Sequence, residues 1–557
     1  MAPQPFLSLP FELRHMIYKY YFTTEQGYYF NAASCKLTTA YGGPIDFALI
    51  YTCRLVAEET KEMPFLHNDI SFKTFYQQDL SSWLCRFDRL INAQFRQQLQ
   101  LLTELRPFIT PEIQHRIKEK FPWFTIRPLN ALFYHSTSPW RGWMYGLLQE
   151  LNSPSLAAVT RPPHNDMYID ICSNDRAYSA QRAAIKFTLR LLCESSDERF
   201  IAKVNQTLVG WEYSGGARLS NFLDRCYEPW RFPSSLSDLD EMGSRRYGDG
   251  EGWTSITSWK TSILHRMQYR QLYRSSAVSA ALKFLDALPI NKRSSLRNII
   301  IHEDGVSVGY PDGHAIGLIS FCQENRRLRI RHKFSMVKNL FERAYFSQGY
   351  NFDYIQAEKD EDMLRLASMN LHRIVGNCLA EAMYLPEAGM PDGSYILLLD
   401  AEDATDMCSA IFRREVLDRE ARLMVLNRAL REDPNIDWAG TYSHVIGLTP
   451  KAYSAALKHL FNKTSFLESN FYPGHLGRVD TLMAHYKEVG LEHCAAALSD
   501  SATALDYDLE SFSHVPKFRS VLMENLECRE LSPVYNPAFP DLDRFYSQLL
   551  FSQYSDV

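Results

Sequence analysis

The sequence predicts a mainly α-helical α+β protein, in which an amino-terminal helical lobe precedes a large body of mixed helices and strands. Apolar residues recur with helical spacing over residues 9–22 and in several longer stretches, which is typical of amphipathic helices. Short apolar runs alternate with helical patterns in the second half of the chain, as in mixed helix and strand folds. We expect a lobe over residues 1–80, a helical and mixed region over 81–232, an exposed polar loop over 233–252, and a body over 253–557 that is mixed α/β and then helical.

Composition places the chain among ordinary globular proteins. Of 557 residues, 46% are hydrophobic and 22% are charged, and 60 basic against 65 acidic residues give a formal charge of −5. These values exclude a disordered regulator and a protein whose whole surface binds nucleic acid. No window reaches about 18 continuous apolar residues, and the amino terminus lacks a signal-peptide pattern. We therefore expect a cytoplasmic or nuclear protein that does not enter a membrane.

The cysteines and the usual cofactor motifs give no sign of a metal or cofactor. The 11 cysteines are widely spaced and include no C-x-x-C pair, which predicts free thiols and no structural zinc site. The chain also lacks a P-loop, a dinucleotide-binding glycine motif after a strand, and an H-E-x-x-H helix. We predict no cofactor, no metal site and no catalytic residues.

The first element is a helix with one apolar face. Leu13, Met16, Ile17 and Tyr20 follow Leu9 at helical spacing. Pro10 suits the first turn, where a missing N–H costs nothing, and Glu12 suits the positive end of the helix dipole. The spacing therefore predicts a locally well-specified helix.

A second helix is predicted from about residue 45 to 63, after the break at Gly42-Gly43-Pro44. Arg54 and Glu58 are spaced to pair on its outer face. Pro64 is expected to end it, because the residue before a proline avoids the helical region. A short strand is predicted over residues 68–72.

Residues 81–150 carry mostly helical patterns with proline breaks at 107, 122 and 128. The proline-rich stretch 153–165 predicts a linker or surface loop, followed by a strand over 167–172 and a helix over 179–193. Residues 233–252 form the most polar and turn-rich window of the chain, which predicts an exposed loop.

Strands and helices alternate in the second half. We predict a helix over residues 275–288, a strand over 297–302, a turn at Pro311-Asp312-Gly313 and a strand within 324–334. The run YILLL at 395–399 predicts a buried strand, followed by an amphipathic helical region over 404–430. The last 120 residues are predicted to be mainly helical.

Two segments carry titratable or nucleophilic groups that favour a structural role. Ser307 lies in a G-x-S-x-G match, but a turn follows it where a nucleophile elbow needs a helix. His302, Glu303, Asp304 and His314 are close in sequence. His302 and Asp304 would share one side of a strand with Glu303 on the other, and the gap to His314 matches no metal-ligand spacing. We predict a strand, a turn and a strand with hydrogen-bonded polar residues.

A basic row alternates with apolar residues over 324–334. Arg327, Arg329, Arg331 and Lys333 would line one face of a strand, about 6.6 Å apart. Such a row suits a phosphate, an acidic peptide or a nucleic-acid backbone. The favoured interpretation is a solvated edge strand, where positive charge prevents edge-to-edge pairing.

The stretch Leu9-Pro10-Phe11-Glu12-Leu13-Arg14-His15-Met16-Ile17 resembles the opening of an F-box, whose pattern is L-P-x-E-[LI]-x-x-x-I. The E-x-R form resembles fungal F-box-like proteins, which often carry a C-R-x-x-x-E-E segment before a short strand. Residues 53–59 and 68–72 stand at those places here, so the resemblance covers about the first 75 residues.

The resemblance implies a protein–protein interaction adaptor that docks on a Skp1-like protein of a cullin ubiquitin ligase and recruits an unknown substrate protein. The partner-binding residues it implies are Leu9, Pro10, Leu13, Met16, Ile17 and Tyr20. Alternatively, this apolar face packs on the protein's own body. Two other functions stay open: an enzyme or small-ligand-binding protein with its site in the carboxy-terminal body, and anion or nucleic-acid binding through the basic row, with nucleic acid disfavoured.

Overall fold

The computed structural model describes residues 6–124, 176–231, 235–247, 259–262, 266–343, 352–357, 368–432, 451–491, 493–494 and 517–531. Helices predominate, and the strands form two sheets, so the predicted mainly helical α+β class is confirmed. The predicted linker over 153–165 and the strand over 167–172 lie outside the described residues.

The amino-terminal segment forms a small lobe and three strands. In chain order its elements are α1 (Phe11–Phe22), β1 (Tyr28–Asn31), β2 (Lys36–Thr39), a 3₁₀ helix (Ala48–Tyr51), α2 (Arg54–Thr60), α3 (Met63–His67) and β3 (Asp69–Lys73). The predicted first helix and the predicted short strand are confirmed. The antiparallel hairpin of β1 and β2 was not predicted.

The predicted helix over 45–63 is wrong. The chain forms the 3₁₀ helix, α2 and α3 instead, because Cys53 has an extended backbone that interrupts the helical path. Pro64 lies in the first turn of α3 and does not end a helix. Glu58 pairs with Lys61 at 2.9 Å, so the ion pair predicted with Arg54 is replaced by one within the same turn.

A helical region follows the lobe. Its elements are α4 (Gln78–Leu105), α5 (Pro111–Lys120), α6 (Tyr178–Leu192), α7 (Glu198–Thr207), α8 (Gly215–Arg225) and α9 (Leu236–Tyr247). Apolar faces of these helices meet in one core, as their spacing requires. The predicted break at Pro107 and the predicted helix over 179–193 are confirmed.

Helix α9 corrects the exposed loop predicted over 233–252 for residues 236–247, whereas residues 233–234 and 248–252 lie outside the described residues. Leu239 and Met242 lie three residues apart, so they share one helix face, and both are buried in the core with α4. Arg86 of α4 pairs with Asp240 at 2.9 Å. The prediction failed because the window is mostly polar and turn-forming, whereas the helix is held in place by two apolar residues.

The body contains the remaining described elements. They are β4 (Lys260–Ser262), β5 (Met267–Gln271), α10 (Ala277–Ala287), α11 (Ile290–Arg293), β6 (Asn298–Glu303), a 3₁₀ helix (Pro311–Leu318), α12 (Ile319–Glu324), β7 (Arg329–Ser335), a π-helix (Met336–Phe341), α13 (Phe352–Ala357), α14 (Ser368–Tyr384), β8 (Tyr395–Asp400), α15 (Thr405–Ile411), a second π-helix (Phe412–Val416), α16 (Leu417–Glu432), α17 (Lys451–Asn462), β9 (Leu467–Ser469), α18 (Leu476–Val489), α19 (Phe518–Met523) and β10 (Leu526–Glu530). The predicted helix over 275–288, the strands over 297–302, within 324–334 and at 395–399, and the helical region over 404–430 are confirmed within a few residues. The last 120 residues, predicted to be mainly helical, lie partly outside the described residues, and the described part also contains β9 and β10.

The larger sheet has the order β2-β1-β3-β6-β7-β8-β9 in the described part of the chain. All neighbouring pairs except β1 with β2 are parallel. From β3 to β9 each new strand is added on the same side, and right-handed crossovers then place the connecting helices on one face. Ile70, Ile299, Ile330 and Leu397 on that face join the core. We call the opposite face, whose residues join none of the described cores, the open face.

Strand β7 is central, so the predicted edge strand is wrong. It pairs with β6 on one side and β8 on the other. The connection from β6 to β7 contains the 3₁₀ helix and α12, because parallel strands cannot be joined by a tight turn. The prediction that a turn alone joins these two strands is therefore wrong. The alternation itself is confirmed: Ile330, His332 and Phe334 are buried on the covered face.

Candidate functional site

Helix α1 is apolar on two faces. Its inner face buries Tyr18 and Phe22 against Val56 and Met63, which form a small core of the lobe. A helix with a single buried stripe normally presents polar residues on its opposite side. Here the opposite side carries the predicted apolar stripe, so α1 has a second apolar face that takes no part in the core of the lobe.

The outer face of α1 is exposed. The exposed fraction is 47% for Leu13, 66% for Met16, 44% for Ile17 and 88% for Tyr20. Pro10 is also exposed, and Leu9 is half-buried. Leu13 and Ile17 therefore do not pack on the described part of the protein's own body. We call Pro10, Leu13, Met16, Ile17 and Tyr20 the outer face of α1.

A charged pair between α1 and α2 anchors the inner face. The Arg14 guanidinium donates to both carboxylate oxygens of Glu59, and the Tyr18 hydroxyl donates to the same carboxylate at 2.7 Å. The hydrogen bond from Arg14 lowers the pKa of Glu59, although burial opposes it. This bidentate pair fixes the rotation of α1 about its axis, so the outer face points away from the lobe.

We expect Glu59→Gln to loosen α1, because the amide replaces one charge-assisted acceptor by a donor that faces the guanidinium. Hydrogen exchange of the peptide over residues 11–22 should speed up. Glu58→Gln is the matched control, since Glu58 is exposed and its one ion pair within the described residues is with Lys61 in its own turn. Equal exchange in the two variants would show that the Arg14–Glu59 pair does not hold the helix.

A second candidate site is a cavity on the open face, beside the lobe. Its volume is about 440 Å³, within the range of small-molecule sites. The loop over residues 24–27 forms one wall, and residues of β1, β3, β6 and β7 together with His67 of α3 supply the rest. Gly27 allows this loop to approach β3, because its φ is 67° and a Cβ would lie 2.3 Å from the Asp69 carbonyl oxygen.

Asn68 holds the loop and the lobe together at the cavity. Its amide nitrogen donates to the carbonyl oxygens of Phe22 (2.7 Å) and Pro64 (2.9 Å). Its amide oxygen accepts from the backbone N–H of Thr24 at 2.8 Å. One buried side chain thus ties the end of α1, the start of α3 and the cavity loop.

The strand register places three cationic or potentially cationic residues in one row. Lys73 of β3 pairs with His302 of β6, which pairs with Lys333 of β7. All three side chains lie on the open face, where burial is lowest. Burial, with repulsion from Lys333 and Lys73, lowers the pKa of His302 to about 4. At neutral pH the row therefore has two positive charges around a neutral imidazole.

The predicted basic row along β7 is only partly available. Arg329 and Arg331 are exposed, but Arg331 pairs with Glu468 at 3.1 Å. The Arg329 guanidinium donates to the carbonyl oxygens of Arg326 and Leu328. Arg327 precedes the strand. Only Lys333 of the four predicted residues belongs to the row across the strands, and sequence reasoning missed Lys73 because its pairing with β6 spans more than 200 residues.

Glu303 and His314, which the sequence also singled out, make buried hydrogen bonds within the fold. Glu303 points to the covered side and accepts from the backbone N–H of Val278 (3.1 Å) and the hydroxyl of Thr74 (2.9 Å). The imidazole of His314 is bonded to the hydroxyl of Ser276 at 2.7 Å. Ser307 is buried, and a loop follows it where a nucleophile needs a helix. Within the described ranges no three potential ligands converge on a metal.

No family model, curated protein or solved structure matches this chain. The resemblance to F-box-like proteins thus depends on the motif residues themselves. None of the helices that the structure describes is both long enough and apolar enough to cross a membrane.

Proposed function

We propose that this protein is a protein–protein interaction adaptor of the cytoplasm or nucleus, which docks a Skp1-like protein through α1. It would thereby serve as a substrate-recruiting, F-box-like subunit of a cullin ubiquitin ligase. The observation that carries this proposal is the exposed outer face of α1, which lies opposite the buried inner face of the same helix. Contiguous exposed apolar side chains are rare on soluble monomers and mark interaction surfaces.

The residues of the outer face suit docking of α1, as a helix, into an apolar groove of a partner protein. Leu13, Met16, Ile17 and Tyr20 stand at i, i+3, i+4 and i+7, which is the anchor spacing of a helix that docks in an apolar groove. Tyrosine and methionine are also enriched at interface centres, whereas this face carries no charge between its anchors. The pattern favours burial against another protein over anion or nucleic-acid binding.

The test is a direct titration of the purified full-length chain with a purified Skp1-like protein. We expect a one-to-one complex in size-exclusion chromatography and a dissociation constant below about 10 µM by calorimetry. Absence of any complex at about 100 µM of each protein would overturn the proposal. Full-length protein is required, because β1 and β3 belong to the sheet of the body.

A further inference from the structure

Lys333, His302 and Ser71 line the cavity on the open face, and Lys73 stands beside it, next to His302 in the strand register. Lys73 and Lys333 form no ion pair or hydrogen bond among the described residues, whereas Lys61, Lys186 and Lys338 each have a carboxylate partner. The positive potentials of two lysines in one sheet register add at the point between them, which attracts an anion.

The geometry of the row suits a single compact anion. Neighbouring strands lie about 4.8 Å apart, so the Cα atoms of Lys73 and Lys333 are separated by about 10 Å. Lysine side chains bend easily over this distance, so both ammonium groups can reach an anion above His302. The neutral imidazole has one N–H to donate, and no protein acceptor in the described structure takes it.

A buried hydroxyl provides a further donor. Ser71 is 2% exposed, lines the cavity, and makes no side-chain hydrogen bond within the described structure. Ser71 lies two residues before Lys73 on β3, so both side chains point to the open face. Its hydroxyl is therefore available to donate to a ligand in the cavity.

The charges around the row restrict the kind of anion. Asp69 and Glu25 also line the cavity, and Glu468 pairs with Arg331 on the same face. Asp304 interacts electrostatically with Lys73, and Asp400 interacts with His302. A long polyanion would meet more of these carboxylates than a small anion placed between the two lysines. Neither lysine has a hydrogen-bonded carboxylate partner among the described residues, and a phosphate monoester, which carries close to two negative charges and several acceptor oxygens at neutral pH, can accept from both.

We propose that this cavity binds a small molecule with a phosphate group, which lies between Lys73 and Lys333 and accepts hydrogen bonds from His302 and Ser71. The site is separate from the outer face of α1 and does not depend on the adaptor function. It also differs from the row along β7 predicted from the sequence, because Arg331 is already paired.

The test uses the purified full-length protein with inorganic phosphate and with glycerol phosphate, at constant ionic strength, followed by ³¹P NMR line broadening. We expect saturable binding of both probes and at least about tenfold weaker binding in Lys73→Gln/Lys333→Gln. Tighter binding of glycerol phosphate than of inorganic phosphate would identify an organic phosphate as the ligand class. Tighter binding of inorganic phosphate would identify free phosphate, and either result supports the site.

Two exposed basic residues serve as controls, which show whether the anion binds at this site or is attracted to positive surface charge in general. Lys283→Gln, on the outer surface of α10, and Arg331→Gln should both keep wild-type binding. No binding of either probe at about 10 mM, or equal loss in Lys283→Gln, would overturn the proposal. Loss in Arg331→Gln with retention in the double lysine variant would overturn it in favour of the row along β7. Circular dichroism melting checks that each variant stays folded.

Discussion

Charged substitution of the outer face of α1 is expected to abolish binding of a Skp1-like protein without unfolding the chain. In Leu13→Asp/Ile17→Asp, two apolar anchors become carboxylates that the complex would have to bury, and unpaired burial costs several kcal/mol. Interface anchors contribute about 2 kcal/mol or more each, so the double change should weaken binding by about 1,000-fold. Calorimetric titration of the partner measures this loss.

The exposure of the two residues predicts that stability changes little. Aspartate is a poorer helix former than leucine or isoleucine, by a few tenths of a kcal/mol to about 0.7 kcal/mol per residue. Because both side chains are nearly half exposed in the free protein, the melting temperature should fall by only a few degrees.

Two further variants of α1 calibrate this result. Lys19→Asp adds a carboxylate at an exposed position beside the outer face and should keep binding within a few fold. Tyr18→Asp places a charge in the small core of the lobe and should lose both binding and helix order. If Leu13→Asp/Ile17→Asp behaves like Tyr18→Asp, the outer face packs within the protein and the docking proposal is wrong.

Local spacing predicted α1 well, but it could not assign its two faces. The stripe Leu13, Met16 and Ile17 has the clear helical period, so it would also fit a helix that packs on its own body. The face that is buried instead contains Arg14 and Tyr18, whose polar groups find a partner in Glu59. That partner lies 45 residues away, and no local pattern reports such a contact.

Strand β7 shows a similar limit. Its strict alternation predicted which side chains share a face, because side-chain direction has a period of two along any strand. Its position between β6 and β8 depends on crossovers that local sequence does not encode. The row of Lys73, His302 and Lys333 is formed by three strands, so it can be recognised only when the pairing register of β3, β6 and β7 is known.

Glu303 is a buried acid whose titration should change stability in a known direction. It follows the open-face residue His302 but points to the opposite side, beneath the amino terminus of α10. Burial raises its pKa to about 7, although bonds from Val278 and Thr74 favour the charged form. The carboxyl group is therefore largely protonated in the folded protein at slightly acidic pH.

We expect the free energy of unfolding of the wild type, relative to Glu303→Gln, to fall as pH rises. The unfolded chain loses this proton near the ordinary pKa of 4.5, whereas the folded chain keeps it until about 7. Between those values the folded state binds more protons, so raising the pH favours unfolding, and the effect levels off above pH 7. A separation of this size corresponds to about 3 kcal/mol in all.

The comparison with glutamine is what isolates Glu303. Burial lowers the pKa values of His314 and His332, so these histidines make the folded state more stable as pH rises toward 6.5, which is the opposite direction. Their contribution is common to wild type and variant, so it cancels in the difference. Val278→Ala removes buried methyl groups on the same helix without changing a titratable group, and its destabilisation should be the same at every pH. Denaturant titrations from pH 4.5 to 8 measure all three proteins, and a wild-type-minus-Gln difference that stays flat would show that Glu303 is ionised in the fold.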